Sequence, residues 1–242
     1  MNIKARAIHA EDKEERRHDI LDAAERLLLA HPQRIASVDE VAAEAGLAKG
    51  TVYLYFPSKE ELLLAIHDRN SERFFDALLG LLSEKKPVAF DDMFAVVRKH
   101  MIEAPGFLPL AALCFGLMEK SVPIEAAAAH KQRIGNRLQV ASIGLEQKFP
   151  QLSQGQGIAL LMHSYGLIVG LWQMIHPSPL TEVLSGDPSC NMFHRDYPAE
   201  LEAALRALWN GHMASATDMP AKTAVRKTPA KRSEERRVGK EC

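Results

Sequence analysis

The sequence predicts an all-α chain, a small N-terminal helical unit followed by a larger helical domain. Three observations carry this. Apolar residues recur at helical spacing along most of the chain, and no stretch shows sustained strand alternation. Pro105, Pro123, Pro150 and Pro177 each sit at a boundary between periodic segments, where proline starts or stops a helix. Ser37 and Ser58 each precede a glutamate by three residues (Glu40 and Glu61), the pattern of a helix capping box.

Taken in order, Met1 to Arg17 is mostly charged, and residues 1–14 are expected to be a flexible N-terminus. From Glu15 to Ala30, Ile20, Ala24, Leu27 and Leu28 form one helical face, closed by Pro32. The Ser37 cap opens a short helix over Val38–Ala45 that stops at Gly46. A second short helix follows over Ala48–Phe56, closed by Pro57. The Ser58 cap opens a long helix reaching about Leu82. Further helices are expected over Asp91–Ala104, Leu108–Lys120, Ile124–Phe149, Gln154–His176 and Asp196–His212. Pro177 to Tyr197, rich in Pro, Ser, Gly, Asp and Asn, reads as a long loop.

Composition narrows the function. The chain has 242 residues, 47% hydrophobic and 25% charged, with a formal charge of −1. It is long enough to bury a core without disulfides or metal, and it is not a polycation that coats nucleic acid. Residues 214–242 hold eight Lys/Arg against four Asp/Glu. That basic tail has too little apolar surface to offset its ordering entropy and is expected to be disordered. Its last residues, Arg232–Cys242 (RSEERRVGKEC), match the translation of a common sequencing-adapter oligonucleotide and are expected to be an assembly artefact. Cys114, Cys190 and Cys242 show no CxxC or CxxC…HxxxH spacing, so no metal site is expected, and the odd count fits a reducing cytoplasm. The N-terminus lacks the apolar core of a secretory signal. Ile158 to Ile175 is apolar enough to raise the question of a membrane span. It carries His163, Ser164, Tyr165, Gln173 and glycines, and reads as a buried helix with no membrane partner.

The two short helices around Gly46 are the informative feature. A tight glycine-containing turn between helices of this size is a helix-turn-helix. Val41, Ala42 and Ala45 would bury the first helix, with Leu47 and Val52 holding the angle. Ala45 to Ser58 contains no acidic residue but contains Lys49, Thr51, Tyr53 and Tyr55, with Lys59 next to it. Such a stretch suits phosphate, which repels carboxylates. Small residues at Ala48 and Gly50 would let the second helix approach base edges.

Residues 16–66, and above all AGLAKGTVYLYFPSKEELL, resemble the DNA-binding domain of the TetR/AcrR family of bacterial transcriptional regulators. The resemblance implies a three-helix DNA-binding domain over 15–62 and a helical ligand-binding and dimerisation domain over 63–213. It implies that Lys49 and Gly50 approach base edges, where lysine donates to guanine O6 or N7, and that Thr51 makes a further base or phosphate contact. It implies phosphate contacts from Tyr53, Tyr55 and Lys59, and one at Ser37, where a helix N-terminus favours an anion. Leu47 and Ala48 stand where many family members are polar, so fewer direct base hydrogen bonds are expected there.

A helix-turn-helix that reads two half-sites of a palindromic double-stranded operator needs a homodimer. The apolar helix over 154–176 can supply the interface. One face carries Ile158, Met162, Tyr165, Val169 and Trp172, the other Leu160, Leu167, Leu171 and Met174, and Gly166 and Gly170 allow close approach. The final helix, with Leu205 and Trp209, would complete a four-helix bundle. Cys114, Phe115, Met118, His163, Tyr165, Trp172 and His176 mix apolar bodies with few polar handles, which suits a pocket for a small hydrophobic or aromatic effector. Such an effector acts only by binding one spacing of the two DNA-binding domains more tightly. No GxSxG, P-loop, GxGxxG or HExxH occurs, so no catalytic residue, cofactor or enzymatic activity is expected. The expected function is a cytoplasmic, ligand-released dimeric repressor. The alternative is an activator, or a DNA-binding regulator without a small-molecule ligand.

Overall fold

The computed structural model describes residues 3–31, 34–184 and 186–214, with side chains for all of these except 3–11, 115, 117–119 and 180. The basic tail from 215 onward, with Arg232–Cys242, lies outside the described residues. Among the described residues there is no strand, as the all-α reading expects.

The first helix, α1, runs from Ile3 to Ala30, well ahead of the expected start at Glu15. No glycine or proline interrupts this stretch, and Ala, Glu, Lys and Arg are strong helix formers. Pairs one turn apart support it: His18 with Glu14 at 3.2 Å and Arg16 with Asp19 at 3.5 Å. The charge that reads as a flexible terminus serves instead as helix surface. α2 (Val38–Glu44) carries the expected capping box: Ser37 Oγ accepts from Glu40 N at 3.3 Å, and Glu40 Oε2 accepts from Ser37 N at 2.8 Å. α3 (Lys49–Tyr55) follows Gly46, whose φ of +68° needs a residue without Cβ strain. α4 (Lys59–Ser83) is capped by Ser58 alone, since the Glu61 carboxylate turns to the Ser58 hydroxyl rather than to its backbone N–H. The second capping box is therefore half formed.

The larger domain follows as α5 (Phe90–Val97), α6 (Phe107–Lys120), α7 (Ile124–Lys148), α8 (Gln156–Ile175), α9 (Pro179–Val183) and α10 (Tyr197–Ala214). Two elements differ from expectation. The helix expected over Asp91–Ala104 changes at Arg98 into a π turn over Arg98–Ile102. The loop expected over Pro177–Tyr197 contains α9 and a 3-10 turn over Pro188–Phe193. Their starts are organised by hydrogen bonds of Ser178 with Thr181 and of Asp187 with Ser189, the local side-chain bonding that such residues favour in turns.

Two cores form. Ile20, Ala24 and Leu28 of α1 pack with Val41, Val52, Phe56 and Leu62 in the N-terminal core. Leu78, Phe107, Leu145, Ile168 and Leu201 anchor the second. α4 runs from one to the other, tied to α1 by Arg73 with Glu25 (2.9 Å) and Arg69 with Asp22. α7 and α8 touch closely, because a Cβ on Gly157 would stand 2.6 Å from the Ser142 carbonyl oxygen. Glu146 Oε1 accepts from the N–H groups of Gly155 (2.8 Å) and Gly157 (3.0 Å), so an α7 carboxylate caps the start of α8.

α8 is long and apolar enough to cross a membrane by length and composition, yet it packs between α7 and α10. Its faces divide differently from the sequence reading. Leu160, Ile168, Val169 and Ile175 are buried, whereas Met162, His163, Gly166, Gln173 and Met174 are exposed. Met162 and Met174, expected on opposite faces, share the outer one. α8 is covered on one side by α7 and α10, and the register of that packing, rather than apolarity, sorts its residues.

Candidate DNA-reading surface and ligand cavity

The α2–α3 unit is held by a small set of buried side chains. Val41 and Ala42 of α2, Val52 of α3 and Phe56 beyond it are all buried. The turn between the helices closes through Leu47 N–H donating to the Ala42 carbonyl at 2.8 Å. This packing leaves Lys49, Gly50 and Tyr53 exposed on one face of α3, with Lys59 exposed beyond it, while Ser37, Thr51 and Tyr55 are half-buried. Tyr55 rests its ring against the N-terminal core. Leu54 is 77% exposed on α3 and was not singled out by sequence reasoning. Its signal was its place two residues from buried Val52, on the far side of a helix.

The electrostatics hold one surprise. Lys49 Nζ lies 2.7 Å from Asp39 Oδ2, which raises the lysine above its ordinary pKa. The stretch free of acidic residues therefore faces a carboxylate supplied by the preceding helix. At the start of α2, Arg34 donates twice to Glu40, at 3.0 and 2.6 Å, and these bonds, with those from Ser37, hold the Glu40 carboxyl down at about 2.

A cavity of about 670 Å³ lies between α4, α5, α6, α7, α8 and α10. At one end its wall is aliphatic and aromatic, with Leu78, Phe90, Phe94, Leu145 and Trp209. Toward the N-terminal core the lining changes to His67 and Ser71 of α4, Phe107 and Cys114 of α6, His130 of α7 and Tyr165 of α8. His67 is 4% exposed and His130 3%. Neither ring nitrogen of His67 has a hydrogen-bond partner among the described residues. An unpaired buried polar group costs about 1–3 kcal/mol. Burial, reinforced by neighbouring His130, pushes the His67 pKa down to about 4, so its ring is neutral. His130 Nδ1 stands 2.8 Å from Asp68 Oδ1, and Arg133 pairs with the other carboxylate oxygen. Burial raises the Asp68 carboxyl, but these two partners outweigh it, and it sits below its ordinary value. Burial pushes the Cys114 thiol up to about 12 and raises the Tyr165 phenol, so both are neutral.

Of the expected pocket residues, Cys114 and Tyr165 line this cavity, and the side chains of Phe115 and Met118 lie outside the described residues. His163, Trp172 and His176 are not in its wall. His163 is on the exposed face of α8, its ring 6.0 Å from that of His212. Trp172 and His176 stack on each other with centroids 3.9 Å apart, at the end of α8. His67, Ser71, Phe107 and His130 were missed. The signal for the first two was in α4, where His67 and Ser71 continue the stripe of Phe74 and Leu78 at helical spacing, polar residues on an apolar face. Among the described residues no group of three His, Cys, Asp or Glu could hold a metal ion.

The two sites are joined through α6. The Phe107 ring lies 5.5 Å from that of His67 in the cavity wall. One turn later, fully buried Leu110 belongs to the N-terminal core. Between the domains Gly106, at φ +72°, is pressed against Leu28 of α1; a Cβ there would meet a Leu28 methyl at 2.9 Å.

Residues 20–66 match the model for "Bacterial regulatory proteins, tetR family", and residues 68–216 match that for "Tetracyclin repressor-like, C-terminal domain". The chain belongs to the TetR family. The regulator is 31% identical over 81 residues to the fatty acid metabolism regulator protein of Bacillus subtilis, covering 34% of this chain and 41% of that one. It is 50% identical over 50 residues to the HTH-type transcriptional regulator EthR of Mycobacterium tuberculosis, covering 21% of this chain and 23% of EthR. These matches span well under half of either relative. In fold, the regulator is similar to Thermus thermophilus FadR, a TetR-family repressor solved in complex with lauroyl-CoA. That likeness has a TM-score of 0.51 and 20% identity, and covers 90% of this chain and 100% of that one. The regulator is thus a DNA-binding transcription factor built as a helix-turn-helix head on a helical C-terminal domain.

Proposed function

We propose that this regulator is a homodimeric repressor of the bacterial cytoplasm, released from a palindromic operator by a small hydrophobic molecule held in the α4–α10 cavity. The observation that carries this reading is the cavity itself. It is within the size range of small-molecule pockets, and two of the helices that wall it, α4 and α6, also build the core of the DNA-binding head. Lys49, Gly50, Thr51, Tyr53, Tyr55, Lys59 and Ser37 are the proposed DNA contacts. The exposed face of α8, with Met162, Gly166 and Met174, is the proposed dimer face. The relative named for fatty acid metabolism and the FadR complex with lauroyl-CoA support an apolar ligand.

Selection of random duplex DNA by the full chain, followed by sequencing, tests the core of the proposal. A two-fold symmetric site is the expected result, with affinity for it reduced roughly tenfold or more by Lys49→Ala, since a good base contact contributes about 1–3 kcal/mol. No enriched motif at moderate salt, or a monomer in sedimentation at micromolar concentration, would overturn it.

The Asp39–Lys49 pair yields a prediction of opposite sign. Both partners are half exposed, so the pair itself contributes little. DNA binding through Lys49 must break or share it beside phosphates that repel Asp39. Asp39→Asn is therefore expected to raise duplex affinity by roughly two- to fivefold at low salt, the size of an exposed pair interaction, with the gain shrinking at high salt. Fluorescence anisotropy at two salt concentrations checks it; an unchanged or weaker affinity would mean that Lys49 does not face DNA.

A further inference from the structure

The cavity has one feature that a plain greasy pocket does not need. His67 is buried, lines the cavity and has no hydrogen-bond partner for either ring nitrogen among the described residues. His130 stands beside it, with ring centroids 5.7 Å apart, and Ser71 lies one α4 turn away on the same wall. Arg133 near this end faces Asp68, as does the His130 ring. Lys131, also in the cavity lining, is exposed on α7, at the solvent side. The buried end thus offers a donor and an acceptor on a neutral imidazole with the Asp68 carboxylate nearby, and among the described residues of the lining the lysine, Lys131, is exposed rather than buried beside His67. A carboxylate placed there would lose its water and meet like charge. A hydroxyl or amide would find a partner that the fold itself leaves open.

We propose that the inner end of this cavity recognises the uncharged hydrogen-bonding head of a long apolar molecule, an alcohol or amide, through the imidazole of His67. The inference rests on the proposed role of the cavity as the effector site, and it specifies which end of the molecule enters first. The apolar body runs along α4 toward Leu78 and Trp209, a span of roughly 16 Å at the helical rise per residue from His67 to Leu78.

The test uses four probes of one chain length, 1-decanol, decanamide, decanoic acid and decanoyl-CoA, titrated calorimetrically into the chain of residues 1–242 at neutral pH. 1-Decanol and decanamide are expected to bind at least about tenfold more tightly than decanoate. His67→Phe should remove most of that preference by weakening the alcohol and amide while leaving decanoate unchanged. Because the substitution can disturb folding, nitrogen NMR of the wild-type imidazole gives an independent reading: 1-decanol should shift the His67 ring nitrogens. Three results would overturn the inference: decanoate or decanoyl-CoA binding as tightly as the neutral probes, a preference that survives in His67→Phe, or no binding of any neutral probe. Operator release is measured separately. A neutral probe that binds through His67 but leaves the operator complex intact would sink the effector role and leave the head-group assignment standing.

Discussion

Leu110→Ala will lower the unfolding free energy by about 2–5 kcal/mol, the range for removing a fully buried leucine side chain. The site predicts more than a cavity cost. Leu110 belongs to α6 by sequence but to the N-terminal core by packing, beside Leu28 of α1 and Leu62 of α4. Truncating it loosens the point where α6 inserts a fully buried side chain into the head. Leu201→Ala serves as the control: that leucine is equally buried, but in the C-terminal core alone and outside the cavity lining. Both variants should lose comparable stability in urea denaturation. Only Leu110→Ala should also shrink the effect of a bound cavity ligand on operator affinity. A loss under about 1 kcal/mol would mean that this packing is not as described. Equal coupling in both variants would remove α6 from the path between the sites.

Acid will destabilise the protein between pH 6.5 and 4, and His67 is the main expected source. Its pKa lies at about 4 in the folded chain against an ordinary 6.5. In that window the unfolded state binds the proton and the folded state does not, so stability rises with pH. The His67 contribution is fully present above pH 6.5, declines as pH falls, and is exhausted below about 4. A shift of this size corresponds to about 3 kcal/mol. Asp68, held below its ordinary value, acts in the same direction at lower pH, because its stabilisation is lost as the carboxylate is protonated. His100 and His212, lowered mainly by burial, have the same sign as His67, but both are only half-buried and weigh less. Urea midpoints of the wild type and of His67→Phe from pH 7 to 4.5 check this. The variant should show a much flatter profile, and an unchanged slope would place the acid sensitivity elsewhere.

The helix-turn-helix was legible because its signals are local. Ser37 and Glu40 are three residues apart, Gly46 fixes the turn, and Val41, Val52 and Phe56 are buried as their spacing requires. The long α4 was legible for the same reason. The early start of α1 was missed because a charged, breaker-free stretch fits both a solvated helix and a flexible end. The Asp39–Lys49 pair was invisible to a scan confined to one segment, since its partners sit on different helices. The cavity was harder. Cys114 and Tyr165 could be placed from their apolar runs. Whether His163 or His67 faced inward depended on which sides of α4 and α8 the other helices cover, which is a property of tertiary packing and not of either helix alone. Apolarity marks α8 as a core helix but does not set its rotation.

The outer face of α8 has a kinetic side. Met162, Gly166, Gly170 and Gln173 belong both to the outer half of that helix and to the lining of the cavity. A second molecule seated on that face would stand over part of the cavity's own wall. If the proposed dimer forms on this face, passage of a small molecule through this wall would be gated by how long the two molecules stay together, and its loading would slow as protein concentration rises, even where its equilibrium affinity does not change.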